Sequence, residues 1–224
     1  MPLLRRPISL PFVLITLVAF SFAVDNPQTP AIVTFTLDFP QSVPDHYSFS
    51  VSADGHASYD STGKLTPDSD PGDPFHEDFL LSSDTCKRIF DLTTKAKYFE
   101  GDIDSGKRNL ASTGAKVLTY SNGSQKTKAT YNYSPNPAVQ QLTAIFQNMS
   151  TTMEFGRRLD YFHRHQKLAL EDELKRMEQM SREKNLEEVS AVAPILHIIV
   201  ADKSVLNVTR ARAQRLLDTS AARH

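Results

Sequence analysis

Tyr47-Ser48-Phe49-Ser50-Val51-Ser52-Ala53-Asp54-Gly55-His56-Ala57-Ser58-Tyr59-Asp60-Ser61 is the stretch that decides the fold. Large apolar side chains alternate with serines up to Ser52, and a second alternating run follows Asp54-Gly55. Period-two alternation puts Tyr47, Phe49 and Val51 on one face of an extended chain. Asp-Gly accepts positive φ at the central turn positions, so it closes a tight hairpin between the two runs. Strands are predicted over 46–53 and 56–61.

Working outward, Ile32 to Phe39 alternates in the same way, with Val33, Phe35, Leu37 and Phe39 on the buried side, and Pro40 and Pro44 end it. Residues 63–74 are rich in Gly, Pro and Asp and read as a loop, and Phe75 to Leu81 reads as a fourth short strand. Ser82 or Ser83 then caps a helix in which Cys86, Ile89, Phe90 and Thr93 recur at helical spacing. That helix is expected to end near Lys97, with Tyr98 and Phe99 packed under the sheet. A second polar loop covers 100–113. Lys116 to Tyr120 and Lys126 to Tyr133 flank Asn122-Gly123, a second hairpin signal. Asn136-Pro137 supplies an N-cap and first helical position, and Val139, Leu142, Ile145, Phe146 and Met149 give that helix one apolar face.

After Ser150 the composition turns helical, with only Gly156 and Pro194 as breakers up to residue 219. Helices are predicted over about 153–183, 185–201 and 205–218. Asp160–Arg164, Glu171–Lys175, Asp172–Arg176 and Glu178–Arg182 stand as i, i+4 pairs on the first of them. The predicted class is therefore α+β: a mainly antiparallel sheet of five or six strands packed with two helices, followed by a three-helix C-terminal segment. The domain plan is 1–23 signal peptide, 24–31 leader, 32–150 sheet domain and 152–219 helical segment.

The start of the chain reads as an export signal. Arg5 and Arg6 form a basic n-region, Ile8 to Phe22 is uncharged and apolar but short for a membrane span, and Ser21-Phe22-Ala23 presents small residues for cleavage after Ala23. Membrane contact is expected only through this segment before cleavage, and the mature chain belongs in the periplasm or outside the cell. Loss of Arg5 and Arg6 takes the formal net charge from −1 to −3. That balance gives no support for nucleic acid as a partner. Cys86 is the only cysteine, so no internal disulfide can form, and its place on an apolar helix face marks it as a packing residue.

Chemistry-bearing motifs are near misses. Gly101 to Lys107 fits seven positions of a phosphate-binding loop, but Arg108 stands where a magnesium-holding Ser or Thr is needed, and the stretch follows a helix rather than a strand. Asp68, Asp70 and Asp73 have calcium-loop chemistry without the bidentate Glu, since Phe79 occupies that place. Ser61-Thr62-Gly63-Lys64 has penicillin-recognising spacing but lies at a strand end. His163 and His165, two apart on a helix, point to different faces and cannot share a metal. Asn122, Asn132, Asn148 and Asn207 open glycosylation sequons, which would carry no meaning were the source bacterial. Arg210, Arg212 and Arg215 make the last helix basic, a pattern that complements a helix C-terminus and favours solubility.

On Phe35-Thr36-Leu37-Asp38-Phe39, the Tyr47–Tyr59 hairpin, Tyr98-Phe99 and Tyr120-Ser121-Asn122-Gly123, the N-terminal half resembles a family of exported bacterial domains of unknown function. Asp54, Gly55 and Tyr59 match that family's central turn. Gln41 to Asp45 replaces a segment that often bears cysteine in the family, so the resemblance implies no redox or disulfide role here. Arg158-Leu159-Asp160-Tyr161 and the Arg210–Leu217 stretch resemble the tails of uncharacterised exported proteins of soil-type bacteria. The resemblance implies no catalytic, cofactor-binding or metal-binding residues. The functional expectation is a non-enzymatic binding or interaction module with a protein or other envelope partner. The alternative is a small hydrolase or metal-assisted enzyme built on loops 63–76 and 100–113. That alternative requires Asp68, Asp70, His76, Asp102 and Asp104 to converge in one pocket. A third possibility is a partner-binding helical tail, which requires an uncovered apolar stripe on the 153–183 helix.

Overall fold

The computed structural model describes residues 30–40, 42–65, 74–107, 109–123 and 125–221. The signal peptide, nearly all of the leader, the Asp68–Asp73 loop and Arg108 lie outside the described residues. The alternating segments become six strands: β1 (Ile32–Asp38), β2 (His46–Ser52), β3 (His56–Thr62), β4 (Pro74–Leu80), β5 (Ala115–Asn122) and β6 (Gln125–Tyr131). They form one sheet in the order β4-β3-β2-β1-β5-β6. Every neighbouring pair is antiparallel. Gly55, at φ 93°, supplies the positive φ that the β2–β3 turn requires.

One face of the sheet carries Val33, Phe35, Phe49, Val51, Tyr59 and Leu118, all almost fully buried. Two helices cover that face: α1 (Ser83–Lys95) and α2 (Pro137–His165). Phe146 of α2 stacks on Phe35 at 5.0 Å and sits 5.6 Å from Phe49. Burial of such aromatic side chains contributes on the order of 2–3 kcal/mol each. Between α1 and β5, Lys97, Tyr98 and Phe99 all take positive φ. The turn they form buries Phe99 and lays Tyr98 on Tyr120 at 4.7 Å.

The fold class is as expected, but the helix boundaries are not. No break occurs near Ser150, because α2 runs unbroken for 29 residues across the expected edge of the sheet domain. Thr151 and Thr152 donate their hydroxyls to the carbonyls of Gln147 and Asn148, so these polar residues are satisfied without leaving the helix. The break falls instead at Gln166, where ψ reaches 61°. The remaining helices are α3 (Leu170–Arg182), α4 (Ala193–Ala201) and α5 (Asn207–Ala221).

These helices pack against the rest of the chain rather than apart from it. Phe155, Leu159, Leu170, Leu174 and Met177 are buried, so the stripe that a partner-binding tail would leave open is covered. Asp160–Arg164 forms as an i, i+4 pair. Glu171 and Glu178 instead reach across to Arg212 and Arg215 of α5. The basic residues of α5 therefore form an interhelical seam, and Arg210 donates to the carbonyl of Val200 at the end of α4. Among the described residues, no helix is long and apolar enough to cross a membrane.

Candidate functional site

Of the residues on which the hydrolase alternative depends, those that are described do not converge. His76 lies on β4 and Asp104 is tied to the end of β6, so the two stand at opposite edges of the sheet. Five strand spacings separate those edges, roughly 24 Å. Asp104 accepts backbone N–H bonds from Gly106, Asn132 and Tyr133, and these hold its carboxyl below the ordinary range. It anchors a loop. Asp102 is exposed in the same loop, and Asp68 and Asp70 fall outside the described residues. Among the described residues, no group of three or more His, Cys, Asp or Glu is placed to hold a metal ion.

The other motif residues have structural partners. Ser61 donates to Glu154 at 2.7 Å. His163 pairs with Asp202 at 2.9 Å, whereas His165 packs on Tyr161 at 4.9 Å. The Cys86 thiol is buried, and desolvation raises its pKa, which is the opposite of an activated nucleophile.

A polar cluster that sequence reasoning missed lies between the sheet and α2. Glu154 is only 3% exposed, although it stands between the apolar Met153 and Phe155. Its carboxylate accepts from the Tyr59 hydroxyl at 2.9 Å and from Ser61, with Arg157 at 3.7 Å. Burial, and then the Glu154 charge, push the Tyr59 hydroxyl far above its ordinary pKa, so it stays a hydrogen-bond donor. The available signal was a single carboxylate at a buried helical position, opposite two strand hydroxyls.

Arg157 leads from this cluster to a cleft of about 430 Å³ between the edge strand β4 and the helices α2 and α4. Its floor is made by the buried Met153, Val192 and Ile195, and Phe75 of β4 forms one wall with the Arg157 guanidinium 5.4 Å from its ring. Glu77, Asp160, Tyr161, Arg164 and His165 supply polar groups. Ile198 stands at the lip, half exposed. The cleft depends on Gly156, where a Cβ would come within 2.5 Å of Val192 Cγ1. The absence of a side chain there lets residues 189–192 lie against α2. An apolar floor with a few placed polar groups is the usual character of a recognition site.

Among the described residues, the opposite sheet face is made largely of small and polar side chains. Reading across the register, Asp78, Ser58, Ser50, Thr34, Thr119 and Lys128 form one row. His76 binds Asp60 at 2.7 Å and lies 3.4 Å from Asp78. Those contacts, Asp60 first, raise its pKa. Neither the models of known protein families nor curated protein sequences match the chain.

Proposed function

We propose that the chain is an exported, non-enzymatic binding module of the bacterial cell envelope that takes its partner in the cleft between β4, α2 and α4. The observation that carries this reading is the cleft itself: buried apolar floor, charged rim and half-exposed Ile198 at its lip. The resemblance of the N-terminal half to exported domains of unknown function and the signal-like residues 1–23 support the compartment.

Two measurements test the reading. Mass analysis of the protein from its own envelope fraction is expected to give a chain that begins at Val24; an intact N-terminus in the cytoplasm overturns export. Ile198→Glu places a charge at the lip of the cleft without touching its floor, and a surface change of this kind shifts stability by about 0.5 kcal/mol or less. It is expected to abolish crosslinking of the purified mature protein to its envelope partner while leaving Tm unchanged. Equal crosslinking by I198E and wild type overturns the cleft as the binding site.

A further inference from the structure

β4 is an end strand of the sheet, so no described strand pairs with its outer backbone. The amide of Leu81 donates to the carbonyl of Gly55 at 2.9 Å, which sets the phase of the β3–β4 ladder. In an antiparallel pair, opposed residues alternate between bonding each other and pointing away. With His56 opposite Leu80 and Tyr59 opposite Glu77, residues 75, 77 and 79 bond inward to β3. The N–H and C=O groups of His76, Asp78 and Leu80 therefore point out from the edge. Phe75 and Glu77 line the cleft, which occupies the inner side of the position where a seventh strand would lie.

We infer that this edge and the cleft beside it accept an extended segment of a partner polypeptide as a seventh antiparallel strand, with alternating apolar and basic residues. The inference rests on the cleft being the binding site and specifies its ligand. Side chains of the added strand opposite Phe75, Glu77 and Phe79 enter the cleft side and meet Met153, Val192 and Ile195. Side chains opposite His76, Asp78 and Leu80 lie on the open face. There the carboxylates of Asp60 and Asp78 outnumber the single His76 between them. Basic residues complement that face. A second copy of this chain does not, because a twofold pairing of β4 with itself centred on Asp78 or Glu77 sets that carboxylate against its own copy. Pro74 and the acidic side chains thus bar edge-to-edge self-association while leaving a basic strand admissible.

The test uses the mature protein and the peptide acetyl-Val-Lys-Val-Lys-Val-Lys-Val-amide. It is expected to bind with a Kd at or below about 1 mM. Binding is expected to slow amide hydrogen exchange at His76, Asp78 and Leu80 and to shift the ring resonances of Tyr161 and His165. The same length of alternating Val and Glu is expected to bind at least tenfold more weakly. Asp78→Pro removes one outward N–H at a position where an edge strand tolerates proline, so the fold is kept and affinity is expected to fall at least tenfold. Asp78→Lys keeps every backbone group and is expected to reverse the preference between the two peptides. Absence of binding, or equal binding by D78P with an unchanged Tm, overturns strand addition. Shifts at Tyr161 and His165 without protection of the three amides overturn strand addition while leaving the cleft as a binding site.

Discussion

Glu154 shows what a single buried charge can hold together. Its carboxylate joins Tyr59 and Ser61 of β3 to α2, with Arg157 alongside. Glu154→Ala leaves two buried hydroxyls without their shared acceptor and the buried Arg157 guanidinium without the carboxylate beside it, and is expected to cost about 3–5 kcal/mol in urea unfolding. Tyr59→Phe removes one donor and is expected to cost about 1 kcal/mol. Asp202 governs a different response. Lys167 first, then Ser204 and His163, hold its carboxyl well below its ordinary value of 3.8. A depressed folded-state pKa contributes stability that is present above the unfolded value and lost as pH falls toward the folded one. Asp202→Asn is therefore expected to flatten the acid side of the stability curve below about pH 4, read from thermal unfolding between pH 5 and pH 2. Neither residue stood out in the sequence, because Tyr59 and Ser61 lie 95 and 93 positions from Glu154, and Lys167 and His163 lie 35 and 39 positions from Asp202. Cys86 was legible, because a lone thiol at a helical apolar position has few other roles.

At the scale of elements, strands and hairpins were easy to read, since Asp54-Gly55 and Asn122-Gly123 are local chemistry that tertiary contacts do not override. Helix ends in the C-terminal half were harder to read. Ser150-Thr151-Thr152 has the composition of a boundary, yet the two threonine hydroxyls bond back within α2 and the Ser150 hydroxyl bonds Tyr59 of β3. Gly156, which looks like a breaker, is a contact surface for Val192. The clamp between α1 and the tail was equally hidden. Glu188, in left-handed backbone conformation at φ 57°, accepts from the Ser82 amide and hydroxyl at the start of α1. Glu187 holds Arg88 at 2.6 Å from the same position. Carboxylates at a helix N-terminus answer its unsatisfied N–H groups and its dipole. Glu188→Ala is expected to cost about 2 kcal/mol and to speed amide exchange at the start of α1 and across residues 183–192.

The described sheet and helices share one continuous buried core. α2 belongs to both the sheet core and the helical tail, and the Glu188 clamp joins them a second time. Thermal unfolding is expected to give a single transition with matching calorimetric and van't Hoff enthalpies. A fragment ending at residue 151 removes Met153, Glu154 and Phe155 from beside the sheet, and is expected to lack the near-ultraviolet signal of packed tyrosines. The strand order has a further effect on timing. β1, the first of the described strands in the chain, lies between β2 and β5 within the sheet, and Thr34 bonds Thr119 across 85 residues of chain. Its second partner is not available until more than half of the polypeptide has emerged. Closure of so long a loop slows acquisition of structure. If the proposed export passes the chain through a membrane unfolded, that delay would keep the polypeptide extended during passage and postpone the assembly of the sheet until its arrival.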